Sequence, residues 1–283
     1  MKTRLIYFIS IFLVLLVSCD PIENRDKLGS VLSENELAFD IIQEPTGSNT
    51  VRFVSKTSGI IPYFDWGSGF SNKESAEAYL PFAGTYTVTY TAYCAGGSVS
   101  VSKEFTVSDN DEEYFKDPAW NLLTNGTEGK TWVFATDVPS YDGKIWGNGG
   151  YLNSPAGPGW WGRTVADAKD DNIDVNSELY FDLDGGANVK MSENGKESKG
   201  TFDLNLEDIK DGDGNIWAIG NMELAGTTIP HGISQNENQK TVYKFNICTL
   251  NENELVLSYN TKNLTSSGTE AWFWVFKRKG YNY

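Results

Sequence analysis

The densest concentration of chemically useful side chains lies between positions 141 and 163. Tyr141, Trp146, Tyr151, Trp160 and Trp161 fall there among glycines, prolines and asparagines. A core strand rarely spends so many glycines, because each weakens the strand and leaves nothing to pack. A loop that presents rigid aromatic faces does. Such faces suit the apolar C–H faces of sugar rings, which stack on indole and phenol rings while their hydroxyls take hydrogen bonds. A tryptophan also brings about 150–250 Å² of contact area for little conformational entropy. Asn148, Asn153, Arg163 and Asp167 stand nearby in sequence to supply polar contacts. The segment therefore reads as a carbohydrate-binding site on Trp146, Trp160 and Trp161, flanked by Tyr141 and Tyr151, with Asn148 and Arg163 as polar partners. The competing reading makes these tryptophans loop-covering core.

Catalysis finds less support. His231 is the only histidine, so Ser-His-Asp or Cys-His chemistry would depend on it alone and a His-rich zinc site is excluded. Two carboxylates suffice to hydrolyse a glycoside. The Glu-x-Asp-x-x-Glu strand motif of family 16 glycoside hydrolases is nevertheless absent, and Glu178 with Asp182 is the nearest approach. Asp211-Gly212-Asp213-Gly214-Asn215 spaces oxygen ligands as a calcium loop does. Ile216, however, stands where such a loop needs Gly, and Met222 where it needs Glu. That stretch and Asp170-Asp171-Asn172-Ile173-Asp174 read as solvated turns. No catalytic residue, metal or cofactor is assigned. A hydrolase with an unrecognised carboxylate pair stays as one alternative, and a structural or adhesion protein with purely core tryptophans as another.

The elements that must position these residues are strands. From Trp120 to Phe276 the candidates are Thr131–Thr136, Glu178–Leu183, Val189–Met191, Thr201–Leu206, Trp217–Leu224, Val242–Leu250, Glu254–Tyr259 and Ala271–Phe276. Phe202, Leu204 and Leu206 alternate with Thr201, Asp203, Asn205 and Glu207, the period of a half-buried strand. Trp272-Phe273-Trp274-Val275-Phe276 is apolar on both faces, as in a strand covered on both sides, and Trp132 and Phe134 also read as core. No helix of three turns is expected. The fold class is all-β, and residues 114–283 are expected to form a jelly-roll or lectin-like β-sandwich, with a closed lipocalin-like barrel as the alternative.

Upstream, Tyr86, Val88, Tyr90 and Ala92 alternate with threonines, and Val99, Val101, Phe105 and Val107 follow after a Gly96-Gly97 turn. Tyr63-Phe64-Asp65-Trp66-Gly67-Ser68-Gly69 and Ala83-Gly84-Thr85-Tyr86-Thr87-Val88 resemble the two signatures of polycystic-kidney-disease (PKD) domains, with the aromatics rearranged and Ser68 in place of an Asp. That resemblance implies an immunoglobulin-like sandwich over 37–108 that acts as a spacer. Asp109-Asn110-Asp111-Glu112-Glu113 is expected as the boundary before 114–283.

The N-terminus sets the location. A short basic start with Lys2 and Arg4 precedes an apolar run from Leu5 to Val17. The run is short for a membrane span, which needs about 20 residues, and fits a secretory signal. Leu16-Val17-Ser18-Cys19 resembles the bacterial lipobox, which implies a signal peptide over 1–18 and a diacylglyceryl group on Cys19. Residues 19–36 then form an acidic tether, a pattern that resembles lipoproteins sent to the outer face of the outer membrane. Loss of Lys2 and Arg4 takes the net charge from −15 to −17, so nucleic acid is excluded as a partner. Cys94 and Cys248 read as buried free thiols.

Anchor, spacer and aromatic-rich distal domain together resemble the surface glycan-binding lipoproteins of Sus-type polysaccharide-utilisation systems. The resemblance rests on layout and on the Trp-Gly-Asn-Gly-Gly-Tyr and Gly-Trp-Trp-Gly segments. It implies non-catalytic capture of a neutral polysaccharide such as a β-glucan, and as partners a TonB-dependent transporter with its SusD-like protein.

Overall fold

The computed structural model describes residues 29–261 and 266–283. The expected signal peptide, the expected lipidation site Cys19 and most of the expected tether lie outside them. Among the described residues no helix is long and apolar enough to cross a membrane.

The chain is all-β, as its alternation predicts. Strands β1 (Phe39–Ile42), β2 (Thr50–Ser55), β3 (Ile61–Asp65), β4 (Phe70–Ser71), β5 (Ser75–Tyr79), β6 (Gly84–Cys94) and β7 (Gly97–Val107) make two sheets, ordered β1-β2-β5 and β4-β3-β6-β7. The chain divides into two compact units, and the division runs through these strands. One unit holds the described residues up to Asp40 with Phe53–Ala76 and Val88–Lys103, and the other holds Ile41–Arg52, Glu77–Thr87 and Glu104–Tyr283. The first unit is built on Phe39, Phe53, Phe64 and Tyr90, whose rings meet at 4.9–5.9 Å. On its outer face the threonines pair with serines, Thr89 with Ser102 at 3.0 Å and Thr91 with Ser100 at 2.8 Å.

The second unit continues with β8 (Lys130–Phe134), β9 (Trp146–Gly150), β10 (Gly162–Arg163), β11 (Glu178–Asp182), β12 (Asn188–Glu193), β13 (Lys196–Asn205), β14 (Ile209–Lys210) and β15 (Ile216–Ala218). After these come β16 (Asn221–Ala225), β17 (Ile233–Ser234), β18 (Lys240–Thr241), β19 (Lys244–Leu250), β20 (Glu254–Tyr259) and β21 (Glu270–Arg278). The main sheet runs β8-β11-β12-β13-β16-β19-β20-β21, all antiparallel, and β21 pairs back onto β8 through Phe276↔Phe134 and Arg278↔Trp132. The sheet is thus a closed meander of eight strands. Within the expected all-β class, 114–283 takes the closed form weighed beside the jelly-roll or lectin-like sandwich. Each strand of the eight pairs with the strand before it, and closure joins the last to the first. The expected strand Trp217–Leu224 is interrupted at Gly220, where a side chain would stand 2.1 Å from the Asn205 carbonyl and φ is +143°.

Trp272, Trp274 and Phe276 of β21 point into the barrel with Trp132, Phe134 and Phe245. Ala271, Phe273 and Val275 point outward beneath a second layer that includes Val138 and Trp217. Both faces of this strand are therefore buried, as its sequence indicated. The end of the barrel where β8 begins is closed by a two-turn helix, Pro118–Thr124. Asp117 caps it by accepting from the Ala119 N–H at 2.9 Å, Pro118 opens it, and Asn125 ends it at φ 57°. Its Trp120 and Leu123 complete the core. The opposite end, the mouth, carries the connection from β8 to β11, the β12–β13 hairpin and the connection from β16 to β19.

Candidate functional site

The glycines of the 141–163 segment form a strand after all. β9 pairs with the first half of β21, from Glu270↔Gly150 to Trp274↔Trp146, and with β10 on its other side. A side chain at Gly147 would lie 2.2 Å from the Trp161 carbonyl, and one at Gly149 2.3 Å from the Gly157 carbonyl. The glycines let the following loop lie directly on the strand, a close backbone approach that only Gly permits.

This layering corrects the expected platform. Trp146 is fully buried, stacked on Trp272 at 4.8 Å and edge-on to His231 at 4.7 Å, so it presents no face to a ligand from solution. Tyr141 and Tyr151 brace the outside of the barrel. Tyr141 donates its hydroxyl to the Ala156 carbonyl at 3.2 Å, and Tyr151 meets Trp217 edge-on at 5.0 Å. Both are half-buried, and burial pushes both phenols above their usual range. Sequence spacing missed this because it cannot show which rings the strand turns inward.

Trp160 and Trp161 are exposed, at 54% and 43%. The Trp161 edge rests on Trp146 (5.7 Å) and Trp272 (6.1 Å). The Arg163 guanidinium lies 4.7 Å from its ring. Arg163 is itself bonded to Asp171. Asn148 fixes the loop: its Oδ1 accepts from the Trp161 N–H at 2.9 Å, its backbone N–H donates to the Trp161 carbonyl at 2.7 Å, and its carbonyl accepts from the Trp160 N–H at 3.0 Å. Its Nδ2 donates to Glu270 at 2.5 Å, and Glu270 accepts again from Asn236. Asn148 and Arg163 therefore position the exposed indoles.

The mouth gathers residues that sequence reading did not assign: Trp272, His231, Glu270, Asn236 and Glu193. They come from distant stretches, and no local spacing signals them. His231 sits at φ 51°, its N–H donating to Glu193 at 2.8 Å and its carbonyl accepting from Trp274 Nε1 at 2.9 Å. Burial lowers its imidazole to about 4, against a smaller opposing pull from Asp171. Burial pushes the Glu193 carboxyl up, partly offset by the bond from His231.

Elsewhere, Asp211 spends its carboxylate on the N–H groups of Asp213 and Asn215 at 3.0 and 2.8 Å, which holds its pKa down. Among the described residues no group of three or more His, Cys, Asp or Glu is placed to hold a metal. Cys94 and Cys248 are free, and burial pushes the Cys248 thiol up to about 12.

Fold and site together define an all-β protein whose larger unit is a closed barrel with two exposed indoles at its mouth. No family model and no curated protein matches the chain. Among solved structures, a similar chain comes from work described as the structural basis for the promiscuous specificity of the carbohydrate-binding modules from the beta-sandwich superfamily. It is 13% identical and spans 86% of this chain and 90% of that one, with a TM-score of 0.24, too low to speak for fold or ligand.

Proposed function

We propose that this chain is a lipid-anchored outer-membrane protein that binds a neutral polysaccharide, first of all a β-glucan, without cleaving it. The observation that carries the reading is the pair Trp160 and Trp161, consecutive in sequence and both exposed on a loop whose backbone is pinned by Asn148. A loop whose backbone is already held in place presents its indoles to sugar rings without first having to be ordered. In this reading Cys19 carries the lipid, residues 37–108 act as a PKD-like spacer and 114–283 as the binding domain. A TonB-dependent transporter with a SusD-like protein receives the captured glycan.

Titration of intrinsic tryptophan fluorescence with a panel of soluble polysaccharides tests the binding. A saturating change with a neutral member, lost in Trp161→Ala, is the expected result, and no response to any member refutes it. Release of new reducing ends on long incubation would move the protein into the enzyme class. Cys19→Ala should abolish partition into detergent. Limited proteolysis that yields a stable fragment beginning near Glu113 supports the two domains, whereas cleavage only before Leu37 indicates a single fused body.

A further inference from the structure

Buried polar side chains are almost always hydrogen-bonded. Among the described residues, the buried nitrogens without a partner are Trp146 Nε1, Trp272 Nε1 and His231 Nε2. They belong to rings in mutual contact: Trp146 stacks on Trp272 at 4.8 Å and meets His231 at 4.7 Å. Trp146 and Trp272 are both more than nine-tenths buried. Two independent features mark the same spot. His231 holds a left-handed backbone that a non-glycine residue seldom adopts, clamped from both sides by Glu193 and Trp274. Trp161 lies across Trp146 and Trp272 while keeping 43% of its surface exposed.

The chemistry of the three atoms selects the ligand. Two indole N–H groups only donate, whereas a neutral imidazole nitrogen donates or accepts. A hydroxyl, which accepts one hydrogen bond and donates another, satisfies both kinds. Arg163 and Asp171 neutralise each other, so an anion is opposed by the carboxylates of Glu193 and Glu270 at the mouth, and a cation cannot accept from the indole donors. We propose that Trp161 is a movable cover over an end-binding pocket, in which hydroxyls of one terminal sugar residue bond Trp146, Trp272 and His231. This rests on the glycan reading above and adds that the polysaccharide is gripped at a chain end. Asn148 pins the backbone of Trp161, so rotation of the indole alone opens the pocket and the loop stays folded.

The test uses the full-length mature protein, a panel of soluble neutral polysaccharides that includes a β-glucan, and the oligosaccharides cut from each. End binding makes affinity per mole of chain nearly independent of chain length, whereas binding along the chain makes it rise with length. Trp272→Phe keeps a six-membered aromatic ring and loses the N–H together with the five-membered ring, and His231→Asn keeps a residue that tolerates the left-handed backbone. Each is expected to weaken oligosaccharide binding about tenfold or more, measured below its own melting temperature on protein whose circular dichroism matches the parent. Affinity that climbs with chain length and survives both substitutions overturns the end pocket and leaves the glycan reading standing. Silence across the panel and its fragments overturns both.

Discussion

The two ends of the barrel are built from the same materials and treat them differently. At the helix-closed end, Trp132 donates its Nε1 to the Leu123 carbonyl at 2.9 Å, Lys130 its ammonium to the Leu122 carbonyl at 2.6 Å, and Thr124 its hydroxyl to Trp120 at 2.7 Å. At the mouth, Trp146 and Trp272 are buried just as deeply, yet their N–H groups have no partner among the described residues. An unpaired buried polar group costs about 1–3 kcal/mol. One end is arranged for stability, and the other tolerates a cost that stability alone does not explain. Burial by itself thus fails to separate the tryptophans of the two ends, while hydrogen-bond satisfaction does.

The largest effect that would sharpen this contrast is at the closed end. Trp132→Ala removes a fully buried ring with a satisfied N–H, and such truncations cost about 3–5 kcal/mol. The variant should melt on the order of 10 °C lower in calorimetry, and whatever stays folded should bind glycan normally.

Next comes pH. The His231 imidazole has a folded pKa of about 4 against 6.5 when free, so the unfolded chain binds the extra proton. This contribution to stability is complete above about pH 6.5, is lost as pH falls toward 4, and amounts to roughly 3 kcal/mol. Thermal melts between pH 7 and 4 should therefore fall less steeply for His231→Asn than for the parent. Parallel curves would show that the imidazole is not held neutral at the mouth.

Trp161→Ala should weaken glycan binding about tenfold to a hundredfold, from the loss of roughly 1.5–3 kcal/mol of ring contact. Because the ring is half exposed, the melt should barely move. A lowered melt with unchanged affinity would reverse the assignment of the two ends. The smallest effect belongs to the helix cap, where Asp117→Ala should cost about 1 kcal/mol and leave affinity untouched.

Much of the frame was legible beforehand. Period-2 alternation marked Glu178–Leu183 and Thr201–Leu206, Glu254–Tyr259 was read as a strand at its observed bounds, and Trp272–Phe276 read as doubly covered because it is. Closure was not legible: β8 meets β21 across the length of the unit, and nothing local in Phe134 announces Phe276. The Pro118–Thr124 helix was missed although Asp117-Pro118 is a sound start signal, since only two turns of pattern follow it. At the site, Trp160 and Trp161 emerged from composition. Trp146 misled because its neighbouring glycines admit a loop and do not form one.

The pairing of β21 has a consequence for engineering. Its first half, Glu270–Trp274, is held by β9, and its last residues, Phe276–Arg278, by β8. The seam that closes the barrel and the strand that carries the mouth loop thus occupy separate stretches of one strand. Ser154 and Pro155, exposed at the tip of the loop between β9 and the exposed indoles, take part in neither pairing. They are the natural place to graft foreign loop sequences, so that libraries of altered ligand preference can be drawn from a scaffold whose closure is left alone.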